Sequence, residues 1–208
     1  MTRFGLLASV GLGALLVATG GASAQSAFDW NGFYVGGSIG AGGLRNEALL
    51  NDNYSYSYDA GLLTAMATAG FNVQQDSLVY GIEADLGLVA LGDISSDDAD
   101  ASFIALGMSP VATLRGRVGF AVDDLLIYGT AGLAVAHVDI DDDWGVGYST
   151  EGFAVGGVIG AGVEMAVTDN MSLRAEGRLM GFSIDGDSDG YTNQLNSAVG
   201  LVGVNFHF

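Results

Sequence analysis

The chain has 208 residues and a formal net charge of −18, with 34 glycines, one proline, no cysteine and no lysine. Half of its residues are hydrophobic. Disordered acidic chains lack that much apolar surface, so this chain is expected to fold around or into an apolar phase. Its negative charge would repel phosphates, which excludes nucleic acid as an expected partner. Without cysteine, disulfides, thiolate metal sites and thiol nucleophiles are excluded as well.

The first 24 residues have the pattern of a secretory signal peptide. Arg3 supplies a positive n-region, and residues 4–17 form an apolar run that is too short to cross a bilayer as a helix. Ala22 and Ala24 provide the small residues of a cleavage site. The sequence therefore predicts export and a mature chain that begins near Gln25. An uncleaved N-terminal anchor is the alternative that the short apolar run disfavours.

The mature chain alternates between apolar and polar or small residues with a period of two. It has no apolar run of the length that a membrane-spanning helix requires. At its C-terminus Val202, Val204, Phe206 and Phe208 share one face, which is typical of a strand. Eight segments with this character predict eight strands. They are centred on residues 33–40, 63–73, 80–88, 113–120, 127–135, 162–167, 172–179 and 202–208.

The charged residues of these strands lie on the face opposite the apolar one, and positive and negative charges are equal in number there. The eight residues are Glu83, Asp85, Arg115, Arg117, Glu164, Arg174, Glu176 and Arg178. On the water-facing side of a soluble β-sandwich such matching would be a coincidence. Enclosed charges each need a partner, because an unpaired buried charge is costly. The pattern therefore predicts an all-β fold in which this charge network lines a narrow lumen. That fold is an up-and-down, eight-stranded antiparallel transmembrane β-barrel whose apolar face contacts lipid.

Short and long connections alternate along the chain. Turns are predicted at 74–77, 123–124 and 168–170. The predicted long loops carry fifteen of the 24 acidic residues, and they are 43–60, 91–102, 139–151 and 185–195. Because bacterial barrels place short turns in the periplasm, we expect acidic extracellular loops and periplasmic termini. Aromatic residues near strand ends, such as Trp30, Phe33 and Phe153, are expected to form interface girdles.

Six segments, in this order, resemble a known family. They are 30–37 (WNGFYVGG), 80–85 (YGIEAD), 113–119 (TLRGRVG), 126–134 (LIYGTAGLA), 162–164 with 168–170 (GVE and TDN), and 204–208 (VNFHF). They are similar to the small outer-membrane β-barrel proteins of the opacity and porin-like surface-antigen type in Gram-negative bacteria. Pro110 departs from this pattern, since proline removes a ladder donor, and it is expected to mark a bulge or the start of a strand.

The resemblance implies residence in the cell outer membrane, in contact with outer-membrane lipid and lipopolysaccharide. It also implies insertion by the barrel assembly machinery, which reads a C-terminal strand that ends in an aromatic residue. In this chain the assembly signal would be Val202, Val204, Phe206 and Phe208. The expected organisation is a signal peptide over 1–24, a short periplasmic segment over 25–32 and a barrel domain over 33–208.

Motifs for metal binding and catalysis are incomplete. Asp185, Asp187 and Asp189 match the first positions of an EF-hand loop, but Asn196 stands at position 12, where bidentate carboxylate ligation is needed. These aspartates are therefore minor candidates only, and neither a metal site nor a cofactor is predicted. By strand parity His137 faces lipid and His207 faces the lumen. No Ser-His-carboxylate set is expected, and the chain is not predicted to be an enzyme.

The predicted function is that of an integral outer-membrane structural or surface protein with a side-chain-filled lumen, since eight strands enclose room for side chains only. A porin-like channel for small ions or solutes is the first alternative. An adhesin or receptor that acts through the loops is the second.

Overall fold

The computed structural model describes residues 28–50, 54–92, 108–140, 150–185 and 192–208. Eight antiparallel strands pair in sequence order, and the last pairs with the first, so the predicted closed barrel is confirmed. The strands are β1 (Gly32–Leu50), β2 (Tyr54–Gln75), β3 (Leu78–Gly92), β4 (Met108–Val122), β5 (Leu125–Ile140), β6 (Thr150–Thr168), β7 (Met171–Asp185) and β8 (Thr192–His207). No helix in these ranges has the length and apolar character needed to cross a membrane. The predicted signal peptide lies outside the described residues.

The barrel presents apolar side chains outward and encloses polar ones. On β8, Phe206 and Val202 are exposed, whereas Asn205 and His207 are buried. The same reversal of the usual soluble pattern holds around the barrel, where Leu114 on β4 is 61% exposed and its neighbour Arg115 is 1% exposed. A continuous apolar outer surface of this kind matches the hydrocarbon phase of a bilayer rather than water.

The strands continue well into the segments predicted as loops. The predicted loop 43–60 is wrong over most of its length, because paired strand runs to Leu50 and resumes at Tyr54. β5 likewise continues to Ile140, and β6 begins at Thr150. Crossing a bilayer takes only about 9–11 residues. The apolar alternation marks that crossing, but the ladder continues beyond it because backbone groups still gain partners there.

The closing seam between β1 and β8 depends on a glycine. Gly32 has a φ of 107°, and a Cβ at this position would lie 2.6 Å from the carbonyl oxygen of Phe208. One residue further, the backbone N–H of Phe208 donates to the carbonyl oxygen of Phe33 at 3.0 Å. The end of the chain therefore meets the start of β1 where only glycine has both the backbone freedom and the space.

Pro110 is neither a bulge nor the start of its strand. It is the third residue of β4 and lies opposite Leu88 of β3, with no register shift between these two strands. The ladder with β5 begins one residue later, at Val111. The missing N–H therefore falls before the first described β5 partner, which is where a sheet tolerates proline.

Three two-residue turns close one end of the barrel, here called the turn end; the opposite end is the loop end. The second residue of each turn accepts a backbone hydrogen bond from the strand that follows the hairpin. Ser77 accepts from Ala121 at 2.8 Å, and Asp124 accepts from Ala166 at 2.8 Å. Asn170 accepts from His207 at 2.9 Å. The hairpins are thus tied to one another at the rim as well as through their ladders.

Asp76 and Asp123 open two of these turns with φ values of 55° and 54°. Left-handed backbone costs a non-glycine residue roughly 1–2 kcal/mol, and a β-branched side chain is the worst case. We expect Asp123→Val to lower the free energy of unfolding by about 1–2 kcal/mol, and Asp123→Gly to leave it unchanged or slightly raised. Urea titration of the refolded barrel in detergent measures both. Equal midpoints for the two variants would contradict the assignment of strain to this turn.

Candidate functional site: the barrel lumen

The inward side chains change character along the barrel axis. On β7 they read, from the turn end to the loop end, Ser172, Arg174, Glu176, Arg178, Met180 and Phe182. The inward side chains of the other strands follow the same order, so the lumen is filled by three layers. A charged layer lies in the middle, and an apolar loop-end layer completes the filling at one end. The other end holds an aromatic and apolar turn-end layer, which consists of Phe28, Trp30, Val79, Leu126 and Tyr128. The charged layer is therefore enclosed from both ends.

Glu83 lies at the centre of the charged layer and is 1% exposed. Its carboxylate forms an ion pair with Arg115 and accepts a hydrogen bond from Arg174 Nη1 at Oε2, 2.8 Å away. The hydroxyl of Tyr34 donates to the same Oε2 at 2.7 Å. Two guanidinium cations thus balance the charge of one buried carboxylate and a phenol hydroxyl donates to it, which is the condition under which a buried charge is tolerated.

Glu176 binds three of the four lumen arginines. Arg115 Nη1 donates to its Oε1 at 2.5 Å, and Arg178 Nε donates to the same oxygen at 2.7 Å. Arg174 pairs with its Oε2, which also accepts from the Tyr128 hydroxyl at 2.9 Å. Charge-assisted bonds of this kind are about twice as strong as neutral ones.

Asp85 is held by two guanidinium groups and two hydroxyls. Arg115 Nη2 lies 2.8 Å from its Oδ2, and Arg178 Nη1 lies 3.1 Å from the same atom. Thr68 donates to Oδ1 at 2.6 Å, and Thr113 donates to Oδ2 at 2.7 Å. Strand parity could have identified both threonines from the sequence, because each follows the inward alternation of its strand.

Glu164 occupies the part of the charged layer nearest the turn end. It pairs with Arg117 and accepts hydrogen bonds from Ser172 at 2.5 Å and from Asn205 at 2.7 Å. The guanidinium of Arg117 also stacks over the ring of Tyr128, 3.8 Å from its centroid. Such a desolvated cation–π contact adds to the ion pair.

The structure thus brings all eight sequence-predicted lumen residues into one connected network of four arginines and four carboxylates. Its formal charge sums to zero. The spacing is made possible by glycines on neighbouring strands: a Cβ at Gly160 would lie 2.8 Å from both Glu176 Oε1 and Thr130 Oγ1. A larger residue there would force these bonds apart.

The expectation that no Ser-His-carboxylate set exists is wrong in one respect. His207 Nε2 lies 3.0 Å from Ser172 Oγ and 3.3 Å from Glu164 Oε1, so the three residues are in contact. They were missed because they lie on three different strands. The arrangement is not that of a triad, however. A triad base contacts the serine through one ring nitrogen and the carboxylate through the other, whereas here Nε2 faces both and Nδ1 has no partner among the described protein atoms.

The prediction that Trp30 belongs to an interface girdle is also wrong. Trp30 is fully buried in the turn-end layer, where its ring meets the edge of Phe28 at 4.7 Å and that of His207 at 5.6 Å between centroids. It precedes β1, so strand parity does not apply to it. Phe33 and Phe153, by contrast, are 67% and 75% exposed on the outer face.

The loop-end layer was not anticipated. It is a cluster of buried apolar side chains that point into the barrel: Leu62, Met66, Val111, Ala134, Ala154, Val158, Met180, Phe182, Val199 and Leu201. Met66 joins it to the charged layer, since its sulfur accepts a hydrogen bond from Arg178 Nη1 at 3.0 Å. Phe182 and Leu201 occupy inward positions by parity, so the signal was present in the sequence. It was hidden because apolar residues such as Leu179 and Val202 occupy the outer face of the same strands, so apolar side chains stand on both faces.

The remaining candidates lie away from the lumen. Of the residues assigned to the assembly signal, Phe208 is 82% exposed, Val202 58% and Phe206 44%, and all lie on the outer face with Val204. The side chain of Asp185 and the whole of Asp187 and Asp189 lie outside the part of the structure that is described. Among the described residues, no group of three or more acidic or histidine side chains could hold a metal ion.

Comparison with known proteins gives a consistent result. The model of the outer membrane protein beta-barrel domain family matches residues 12–208. A 22 kDa outer membrane protein of Rhizobium leguminosarum bv. viciae is 36% identical over 157 residues, which cover 76% of this chain and 66% of that protein. A 25 kDa outer-membrane immunogenic protein of Brucella melitensis biotype 1 is 32% identical over 185 residues, which cover 87% of this chain and 80% of that protein.

Among solved structures, the crystal structure of neisserial surface protein A matches with a TM-score of 0.50 and 17% identity. The alignment covers 86% of this chain and 98% of that one. At this identity the likeness concerns the fold alone.

Proposed function

Because the chain belongs to the outer membrane protein beta-barrel domain family, we propose that this outer-membrane protein is a structural scaffold whose lumen is closed. The observation that carries the proposal is the enclosure of a neutral charged layer between two apolar layers. The charges bind one another across the barrel, so they stabilise the wall from inside. An aqueous pore would instead leave charges facing a continuous polar path.

The porin-like alternative requires a path that the inward side chains do not provide. An ion that approaches from the loop end meets the side chains of the loop-end layer, such as Val158 and Val199, which are 2% and 5% exposed. An ion from the turn end meets Trp30 and Leu126, both fully buried. Passage through the middle would also require the pairs of Glu83 and Glu176 to separate. Each of these steps opposes conduction.

Planar-bilayer recording of the refolded, unmodified protein tests this proposal. We expect current close to the bilayer baseline over a range of voltages, because the three layers leave no continuous polar path. A gel-mobility assay, in which folded and boiled barrels migrate differently, shows that the protein added is folded. Steady single-channel steps from a folded sample would favour the porin-like alternative instead.

We also propose that the protein is not an enzyme. The contact among Ser172, His207 and Glu164 is the set closest to catalytic chemistry, but all three side chains are buried behind Trp30. Ser172 contacts both Glu164 and His207, but the imidazole faces both of them through the same Nε2, so the relay that activates a triad serine is not formed. Its evident role is to satisfy the buried carboxylate.

The second alternative, adhesion or receptor function, would depend on the acidic loops. The central residues of these loops lie outside the described ranges. The proposed partners are those of a barrel in this membrane: lipopolysaccharide, which the outer face would meet in the outer leaflet, and the barrel assembly machinery, which would read the C-terminal strand.

These proposed partners require that the turn end of the barrel faces the periplasm, and this orientation can be tested directly. With the turn end in the periplasm, a thiol-reactive, membrane-impermeant label should modify Asp142→Cys on intact cells and should not modify Asp124→Cys. Asp124 lies in a described turn, whereas Asp142 lies outside the described residues, within a predicted loop. The chain has no cysteine of its own, so each variant reports a single site. Both variants should react after the cells are broken. Labelling of Asp124→Cys alone on intact cells would reverse the orientation.

A further inference from the structure

The four residues from Phe28 to Asn31, here called the N-terminal strap, extend from the sheet into the turn end of the lumen. Phe28 and Trp30 are buried, whereas Asp29 and Asn31 between and after them are exposed. The two inward rings pack with Val79 and with other members of the turn-end layer. The strap therefore covers the charged layer from the turn side.

The strap takes no part in the ladders that hold the barrel. The register of β1 begins with Gly32 opposite Asn72 of β2, and its pairing with β8 begins at Tyr34. Two hydrogen bonds tie the strap to the barrel within the described residues: the Trp30 N–H donates to Gln74 Oε1 at 2.9 Å, and the Gln74 N–H donates to the Asn31 side chain at Oδ1, 2.7 Å away. Its removal would break these two bonds and leave every strand paired.

Several buried polar atoms at the turn end have no protein partner while the strap is in place. Trp30 Nε1 and His207 Nδ1 are buried and have no hydrogen bond within the described part of the chain, and the same holds for both amide atoms of Asn72. Unsatisfied buried donors and acceptors destabilise the state that contains them and gain water when that state opens. The loop-end layer differs, because its members are carried on the strands themselves and cannot leave without breaking the sheet.

We propose that the N-terminal strap is a displaceable plug, which opens the turn end of the lumen while the barrel stays intact. The inference rests on the proposed closed lumen and adds that its two closures are unequal. The turn end opens locally, and the loop end opens only when strands separate. Access to the charged layer is therefore from the turn side, which in the proposed orientation is the periplasm. Local opening of this kind is typical of segments with few backbone bonds to the rest of a protein.

A buried thiol behind the strap measures its opening. Val79 is fully buried in the same cluster as Phe28 and Trp30, and Val79→Cys is a small change that provides the single thiol of the chain. In this background, Phe28→Ala/Trp30→Ala should raise the rate of reaction with a small methanethiosulfonate reagent at least about tenfold, because the rate follows the population of the open state. The matched control is Phe33→Ala, which removes an exposed ring from the outer face and should leave the rate unchanged.

Gln74→Ala provides a second, milder variant. It removes the acceptor of the Trp30 N–H, together with the bond that Gln74 Nε2 donates to the Asp76 carbonyl oxygen at 2.8 Å, and should raise the rate by a smaller factor. If the double variant does not fold, the thiol reaction rate of Gln74→Ala tests the proposal instead. The plug proposal would be contradicted if the folded strap variants reacted with the thiol reagent at the parental rate. It would also be contradicted if Phe33→Ala raised that rate as much as the strap variants do. These outcomes are separate from conductance, because single-channel currents through the parent would contradict the closed scaffold whatever the labelling rates.

Discussion

Arg117→Leu is expected to lower the free energy of unfolding by about 3–5 kcal/mol, the usual cost of leaving one member of a buried pair without its partner. The Arg117 side chain is fully buried and pairs with Glu164, whose side chain is equally buried. Its guanidinium also donates to the Tyr34 hydroxyl at 3.2 Å and stacks on Tyr128. The variant retains the contacts of Glu164 with Ser172, Asn205 and the His207 ring, but leaves it without a guanidinium partner among the described residues. Urea unfolding of the refolded protein in detergent, followed by circular dichroism, measures the change.

A second substitution separates the charge from the packing. In Arg117→Leu/Glu164→Gln the carboxylate becomes a neutral amide that still accepts from Ser172 and Asn205, so this double variant should be more stable than Arg117→Leu alone. A water-filled lumen would screen the orphaned charge, and Arg117→Leu would then be nearly neutral for stability. A stable Arg117→Leu protein with steady, altered single-channel currents would therefore reject the closed scaffold.

Deletion of Phe208 is expected to cause a pronounced loss of this protein from the outer membrane. Its ring is 82% exposed, so little buried area is lost, and one backbone bond to Phe33 disappears. A pronounced fall in membrane yield would thus reflect a lost assembly signal rather than a weakened fold. Yield is measured by quantitative immunoblotting of outer-membrane fractions at equal expression.

Two comparisons make this test specific. Phe33→Ala removes a ring of the same size from the adjacent strand, where it is 67% exposed, and should reduce the yield much less. Purified protein that lacks Phe208 should refold in detergent at nearly the parental rate, because no assembly machinery is present. A normal membrane yield, or a refolding defect as large as the loss in cells, would contradict the role given to Phe208.

The barrel wall could be predicted from the sequence because strand parity is a strictly local signal. Val202 and Phe206 on one face and Asn205 on the other define β8 without any knowledge of its neighbours. The charged layer followed from the same rule together with the cost of an unpaired buried charge. Which arginine binds which carboxylate did not follow, because Arg174 and Glu83 lie 91 residues apart and meet only through the closed sheet.

Two features, the burial of Trp30 and the loop-end layer, could not be predicted from the sequence, and the reasons differ. Trp30 precedes the first strand, and no periodicity states whether a residue outside the ladder turns inward. Leu201 and Met180 lie on inward positions, but their neighbours Val202 and Leu179 on the outer face are apolar too and mask the alternation that would reveal them. Hydrophobic pattern alone cannot separate lipid from an apolar interior.

The sequence separation of the lumen ion pairs bears on the lifetime of the barrel. Arg115 binds Glu176 across 61 residues, and Arg117 binds Glu164 across 47, with donors and acceptors on strands that are not neighbours. Such contacts form only after the loop entropy of most of the chain has been lost, so they arise late and are weak or absent in the folding transition state. Interactions of that kind leave the folding rate nearly unchanged and slow unfolding. We therefore expect these long-range pairs of the charged layer to slow unfolding, so that they delay escape from the membrane-inserted state without being needed to reach it.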